Sequence, residues 1–241
     1  MSAPATETAD LADLLVIAKE PVAGRVKTRL TPAYTPAEAA ALAGAALRDT
    51  LAAVAAARAG RRTLVLEGAP GPWLPEGFAV CAQRGGGLDE RLAHAFADAD
   101  AGRPLVLVGM DTPQVTAALL ERACAALATR GAVFGPAADG GFWLLGLRRP
   151  DASLLLGVPM SRADTGTAVL GRLRAAGLRT AVLPVLTDVD TPADAAAVAA
   201  AAPGGEFAAA VRALGTRLGT RRRVGPGAGP GAGPGGRTVP A

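Results

Sequence analysis

An unbroken apolar run, Leu105-Val-Leu-Val108, stops abruptly at Gly109-Met-Asp-Thr-Pro113. Consecutive aliphatic residues with no polar position among them suit a strand buried on both faces, the condition of a parallel sheet covered by helices. In open α/β sheets ligands gather outside the carboxyl ends of the strands, so Asp111 falls where a metal or a phosphate would sit. An Asp close before a proline also caps ordinary turns, and on these residues alone that alternative stays open.

The rest of the chain repeats the pattern. Apolar runs at Leu14–Ala18, Thr63–Glu67, Phe78–Ala82, Gly131–Gly135, Phe142–Leu147 and Arg179–Leu186 read as strands. Thr35-Pro-Ala-Glu38 is a capping box with proline at the first helical position, and it opens an Ala-rich helix to about Arg58. Further helices are expected to end near Ala99 and Ala176, and to span Ala117–Thr129, Ala195–Ala202 and Phe207–Leu218. This alternation predicts a single three-layer α/β domain with a mostly parallel central sheet, over residues 13–219. Residues 1–12 read as a flexible leader, and residues 220–241, an Arg run and a Gly-Pro-Ala repeat unable to bury apolar area, as a disordered tail.

Composition narrows the partners. The formal charge is +4, and Arg221, Arg222, Arg223 and Arg237 in the tail account for all of it, so the body is near neutral and the basic pI is no argument for nucleic-acid binding. Aromatic residues make up only 3% of the chain, which also argues against base-stacking platforms. His94 is the only histidine, excluding mechanisms that need two. Cys81 and Cys124 lack a Cys-x-x-Cys setting and read as reduced thiols of a cytoplasmic protein. The first apolar run ends at Lys19-Glu20 after an acidic leader, so neither a secretory signal nor membrane insertion is expected.

Other strand-end loops carry polar chemistry. After the first strand, Lys19, Arg25, Lys27 and Arg29 share a loop with Pro21 and Gly24, suited to polyphosphate, although a charge run is usually a solvated loop. It is neither a Walker loop nor a dinucleotide fingerprint. Gly85, Gly86 and Gly87 let backbone approach a ligand or simply make a turn. Asp139-Gly140-Gly141 repeats the strand-end carboxylate, and a polar loop containing Ser161 follows the next strand. After the last strand, Thr191 and Pro192 cap a helix with Asp194 as dipole partner, leaving Asp188 and Asp190 free for a site.

Taken in order, Pro21-Val-Ala-Gly-Arg-Val-Lys-Thr-Arg-Leu30, Gly109-Met-Asp-Thr-Pro113, Gly135-Pro-Ala-Ala-Asp-Gly-Gly141 and Asp188-Val-Asp-Thr-Pro192 resemble the DUF2064 family. That family is provisionally described as glycosyltransferases of the GT-A, nucleotide-diphospho-sugar transferase fold, some tied to arsenosugar biosynthesis. The motif order is also similar to nucleotidyltransferases that make 2-phospholactate guanylate or the molybdopterin guanine dinucleotide cofactor. The resemblance implies that Lys19, Gly24, Arg25, Lys27, Arg29 and Gly86 bind the nucleotide. It implies that Asp111 and Asp190 hold Mg2+ or Mn2+ and act with Lys27 in catalysis, and that Asp139, Gly140, Gly141 and Ser161 lie beside the acceptor. Many glycosyltransferases of this fold carry Asp-x-Asp, whereas Gly109 takes the first position here.

Two activities are implied: glycosyl transfer from a nucleotide sugar to a small-molecule acceptor, or nucleotidyl transfer from a nucleoside triphosphate with pyrophosphate release. A nucleotide-binding module without turnover is the third possibility. Lys27 and Arg29 are expected to be loop cations whose removal weakens nucleotide binding without unfolding. Asp111→Asn is expected to stop metal-dependent turnover and leave the melting temperature unchanged or slightly higher, by relieving carboxylate repulsion. Asp190→Asn is expected to cost less, and Asp188→Asn least.

Overall fold

The structure is a computed structural model and describes residues 11–223. Seven strands form one sheet: Asp13–Lys19 (β1), Arg62–Glu67 (β2), Phe78–Ala82 (β3), Leu105–Gly109 (β4), Ala132–Pro136 (β5), Phe142–Leu147 (β6) and Thr180–Val182 (β7). Their spatial order is β3-β2-β1-β4-β6-β5-β7. All neighbours run parallel except β6, which is antiparallel to both β4 and β5. The expected three-layer, mostly parallel sheet is thus present, and β6 is reversed because only the residues 137–141 separate it from β5. A parallel return would need a crossover of a dozen residues or more.

Six helices cover the sheet: Pro36–Ala56 (α1), Leu88–Ala99 (α2), Ala117–Ala126 (α3), Thr165–Ala175 (α4), Pro192–Ala201 (α5) and Glu206–Arg223 (α6). Alternate residues of the central strands point to opposite faces. Leu14, Val16, Val106 and Val108 pack with Leu47, Leu51 and Val54 of α1 and Leu120 of α3. Leu15, Leu105 and Leu107 pack with Phe96 of α2 and Leu173 of α4. A second cluster behind α1 joins its Leu42 to Val198 of α5 and Phe207 of α6. That sandwiched position explains why α1 is apolar enough over its 21 residues to satisfy the length and composition of a membrane span.

Two boundaries differ from expectation. The strand expected over Arg179–Leu186 is cut to Thr180–Val182. Pro184 has no N–H to give, and contact with β5 resumes only as the Leu183 and Leu186 amides bond to the Phe134 and Pro136 carbonyls. Helix α6 runs to Arg223, so the boundary expected at residue 220 falls inside it. The rest of the expected tail, and residues 1–10 of the expected leader, lie outside the described residues, while Ala12 is buried in the core. At the amino edge of the sheet, Asp13 is 2% exposed and pairs with Arg61 and Arg103.

Candidate functional site

The carboxyl ends of β1, β4 and β5 meet at a cavity of about 800 Å³. Its walls include Arg25, Lys27 and Arg29 from the loop after β1, Asp111 after β4, and Asp139 and Gly141 from the β5–β6 hairpin. Asp188 and Asp190 arrive last, from far along the chain. After β7 the backbone doubles back along the hairpin, the Val189 amide donates to the Asp111 carbonyl at 3.0 Å, and Gln114 Nε2 donates to the Thr187 carbonyl at 2.7 Å.

Lys27 stands at the centre of this arrangement. Its Nζ lies 2.9 Å from Asp111 Oδ1 and 3.2 Å from Asp190 Oδ1, and its side chain is 9% exposed. Burial works to lower its pKa, but Asp111 and Asp190 outweigh burial and hold it above the usual lysine value, so it is charged. The backbone there is left-handed, φ 50° and ψ 38°, a region that non-glycine residues seldom adopt. The exposed Arg29 places Nη1 3.0 Å from Asp190 Oδ2. Lys27 is therefore not a loop cation free of partners, and the carboxylates are not bare. With an ammonium already between them, Asp111→Asn removes an ion-pair partner instead of relieving repulsion, which reverses the expected change in melting temperature.

The remaining cations divide. Lys19 lies on the cavity wall but pairs with Glu67 at 3.3 Å, and Arg91 pairs with the same carboxylate. Arg25 makes no ion pair among the described residues. Gly86 also lines the cavity, its amide donating to Glu90 Oε2 at 2.7 Å as the chain enters α2. Gly24 does not reach the wall; at φ +77° it makes the turn that shapes the loop.

Also lining the cavity, Asp139 Oδ1 accepts from the Gly141 amide at 2.8 Å, and Ser161 sits in a left-handed conformation at φ 57°. Gly140 is off the wall. Its role is to let two loops touch: at φ +90°, a Cβ added there would lie 2.0 Å from the Ala163 carbonyl oxygen. Its own carbonyl accepts from the Gly166 amide at 2.8 Å.

Asp188, expected to matter less than Asp111 and Asp190, has a buried carboxylate oxygen on the cavity wall. Burial first, then the nearby Asp139 and Asp111 charges, push its pKa up to about 7. Its Oδ1, Thr112 Oγ1 and Gln114 Oε1 are buried with no hydrogen-bond partner among the described residues. Buried polar atoms are nearly always hydrogen-bonded, so these three set this part of the site apart from the rest of the core. The spacing Asp188-Val-Asp190 is itself Asp-x-Asp, and it was the signal that could have raised Asp188.

No group of three or more His, Cys, Asp or Glu side chains is arranged to hold a metal among the described residues. Asp111 and Asp190 nevertheless fit a magnesium or manganese ion in type and number, because such ions take oxygen ligands and are commonly held by one or two carboxylates with substrate phosphates.

The family described as "Uncharacterized protein conserved in bacteria (DUF2064)" matches residues 37–162. Comparison with curated proteins returns no match. Among solved structures, a provisionally named nucleotide-diphospho-sugar transferase from Desulfovibrio desulfuricans G20 is similar at 27% identity and TM-score 0.79, over 87% of this chain and 97% of that one. CMP:2-keto-3-deoxy-manno-octonic acid synthetase complexed with CTP shares the fold at 14% identity and TM-score 0.51, over 79% and 97%. Rv0371C of Mycobacterium tuberculosis H37Rv, solved with manganese, shares it at 24% identity and TM-score 0.50, over 79% and 98%. The fold is that of the nucleotide-diphospho-sugar transferases.

Proposed function

The chain belongs to the DUF2064 family, and from that premise we propose that it is a metal-dependent glycosyltransferase, moving a sugar from a nucleotide donor to an uncharged hydroxyl of a small-molecule acceptor. The observation that carries this reading is that a basic loop and a set of carboxylates line one cavity. Arg25, Lys27 and Arg29 offer that cavity cations suited to a diphosphate, and Asp139 and Asp188 offer it carboxylates suited to an acceptor. A phosphorylated acceptor would meet like charge there. A hydroxyl would meet two hydrogen-bond acceptors. The 27% identity to a provisionally named nucleotide-diphospho-sugar transferase supports the donor class.

In this reading Arg25, Lys27 and Arg29 bind the diphosphate and neutralise the charge that grows on it as the sugar departs. Asp139 and Asp188 orient the acceptor hydroxyl, and Asp188 takes its proton as the oxygen attacks the sugar. A magnesium or manganese ion held by Asp111 and Asp190 would add Lewis-acid stabilisation of the leaving diphosphate. Gly86, Gly141 and Ser161 shape the walls. Reduced Cys81 and Cys124, both free, support a cytoplasmic setting.

A second reading, nucleotidyl transfer, is favoured by the number of cations after β1, since a triphosphate asks for more of them. Incubating the protein with separate nucleotide sugars and nucleoside triphosphates, with Mg2+ or Mn2+, separates the two. Release of nucleoside diphosphate is expected, with water as the slow default acceptor. Pyrophosphate release would install the second reading, and binding without either product would leave a non-catalytic module. Arg25→Ala should weaken donor binding about tenfold, the loss of roughly one charge-assisted hydrogen bond, without moving the melting temperature.

A further inference from the structure

We propose that Lys27 is an interlock: its ammonium holds the position between Asp111 and Asp190 until nucleotide phosphate draws it away, so divalent metal and nucleotide can bind tightly only together. The inference rests on the reading of this cavity as a metal-assisted nucleotide site.

Three observations carry it. The two carboxylates that would hold a divalent ion are already engaged: Asp111 Oδ1 and Asp190 Oδ1 lie 2.9 and 3.2 Å from Lys27 Nζ, and Arg29 holds Asp190 Oδ2 at 3.0 Å. An ammonium and a divalent ion cannot share those oxygens, and side by side they repel. Next, Lys27 is 9% exposed and its backbone is held at φ 50°, so the loop keeps the ammonium inserted in spite of an unfavourable conformation. Finally, Arg25 lines the same cavity and has no ion pair among the described residues, which gives an incoming phosphate a first contact before Lys27 moves. A phosphate is the one ligand of this site that can offer the ammonium a replacement for two carboxylates. Binding linkage is reciprocal, so each ligand must then raise the affinity of the other by the same factor.

The test uses the full chain and Mn2+ alone, with free ion followed by electron paramagnetic resonance. Wild type should bind Mn2+ weakly. Lys27→Gln should bind it on the order of tenfold more tightly in the absence of nucleotide, because two carboxylates lose a competing charge. The same substitution should weaken binding of nucleoside diphosphates such as UDP and GDP, an opposite sign that a merely structural lysine would not produce. Lys27→Arg, which keeps the charge, should restore weak Mn2+ binding. Equal Mn2+ affinity of wild type and a folded Lys27→Gln overturns the interlock and leaves the site reading intact. Wild type alone provides a further check should Lys27→Gln fail to fold. Its Mn2+ affinity at saturating nucleoside diphosphate and its nucleoside diphosphate affinity at saturating Mn2+ must rise by one shared factor, and independent binding overturns the proposal. Failure to bind any nucleoside diphosphate overturns both this proposal and the reading beneath it.

Discussion

Asp111 gives up only part of its surface, 41% of the side chain remaining exposed, yet it is one of two anions that keep a buried ammonium in place. Replacing it with Asn leaves Lys27 with Asp190 alone. Hydrogen bonds to charged groups are worth roughly 1.5–3 kcal/mol, and solvent screening at this exposure brings the expected cost to about 1–2 kcal/mol. Metal-free Asp111→Asn should therefore melt a few degrees below wild type, and a melting temperature at or above wild type would contradict the Lys27 bridge. None of this was legible in the sequence. The types were: a strand-end carboxylate, a basic loop and a second carboxylate near Pro192 all announced themselves. The pairing was not, because Lys27 and Asp190 are 163 positions apart and no spacing rule reaches that far. Charge runs and carboxylates were read as separate ligand sets, where the fold makes each the partner of the other.

The hairpin between β5 and β6 and the loop before α4 meet backbone to backbone, and Gly140 makes the meeting possible. A methyl at Gly140 would sit 2.0 Å from the Ala163 carbonyl oxygen, and the φ of +90° is one an L side chain resists. Gly140→Ala should cost about 1–3 kcal/mol, expose residues 157–164 to proteolysis and impair transfer more than donor binding. Gly171 in α4 is the matched control, since nothing lies within 4 Å of its added Cβ. There alanine should stabilise by about 0.5–1 kcal/mol through helix propensity. Thermal melts of the two variants should move in opposite directions. Most elements were legible from apolar runs and caps: the capping box at Thr35 and the N-cap at Thr191 are both present, and Asp194, expected only as a dipole partner, completes a capping box with Thr191. The shortening of β7 was missed although Pro184 signalled it. The reversal of β6 was missed too, although five intervening residues cannot support a parallel return.

At the scale of the molecule, chemistry collects on one edge of the sheet because every strand but one points its carboxyl end there. The other edge carries structure: Asp13, buried and held by Arg61 and Arg103, ties the start of β1 to the loops before β2 and β4. The overall α/β reading followed from alternation alone, whereas this polarity needed the strand order. One strand crosses from edge to edge against the rest. Within six residues β6 carries the chain from the hairpin beside Asp139 to the exposed Arg148 and Arg149 on the far side. At about 3.3 Å per residue that is a traverse of roughly 20 Å. A short Gly-Ser insertion between Arg148 and Arg149 should change stability by less than about 1 kcal/mol and leave donor affinity as it was, which calorimetry and a binding titration would check. The same position is a vantage point. A fluorophore attached there would stand within energy-transfer range of a labelled nucleotide in the cavity while touching nothing that the nucleotide touches.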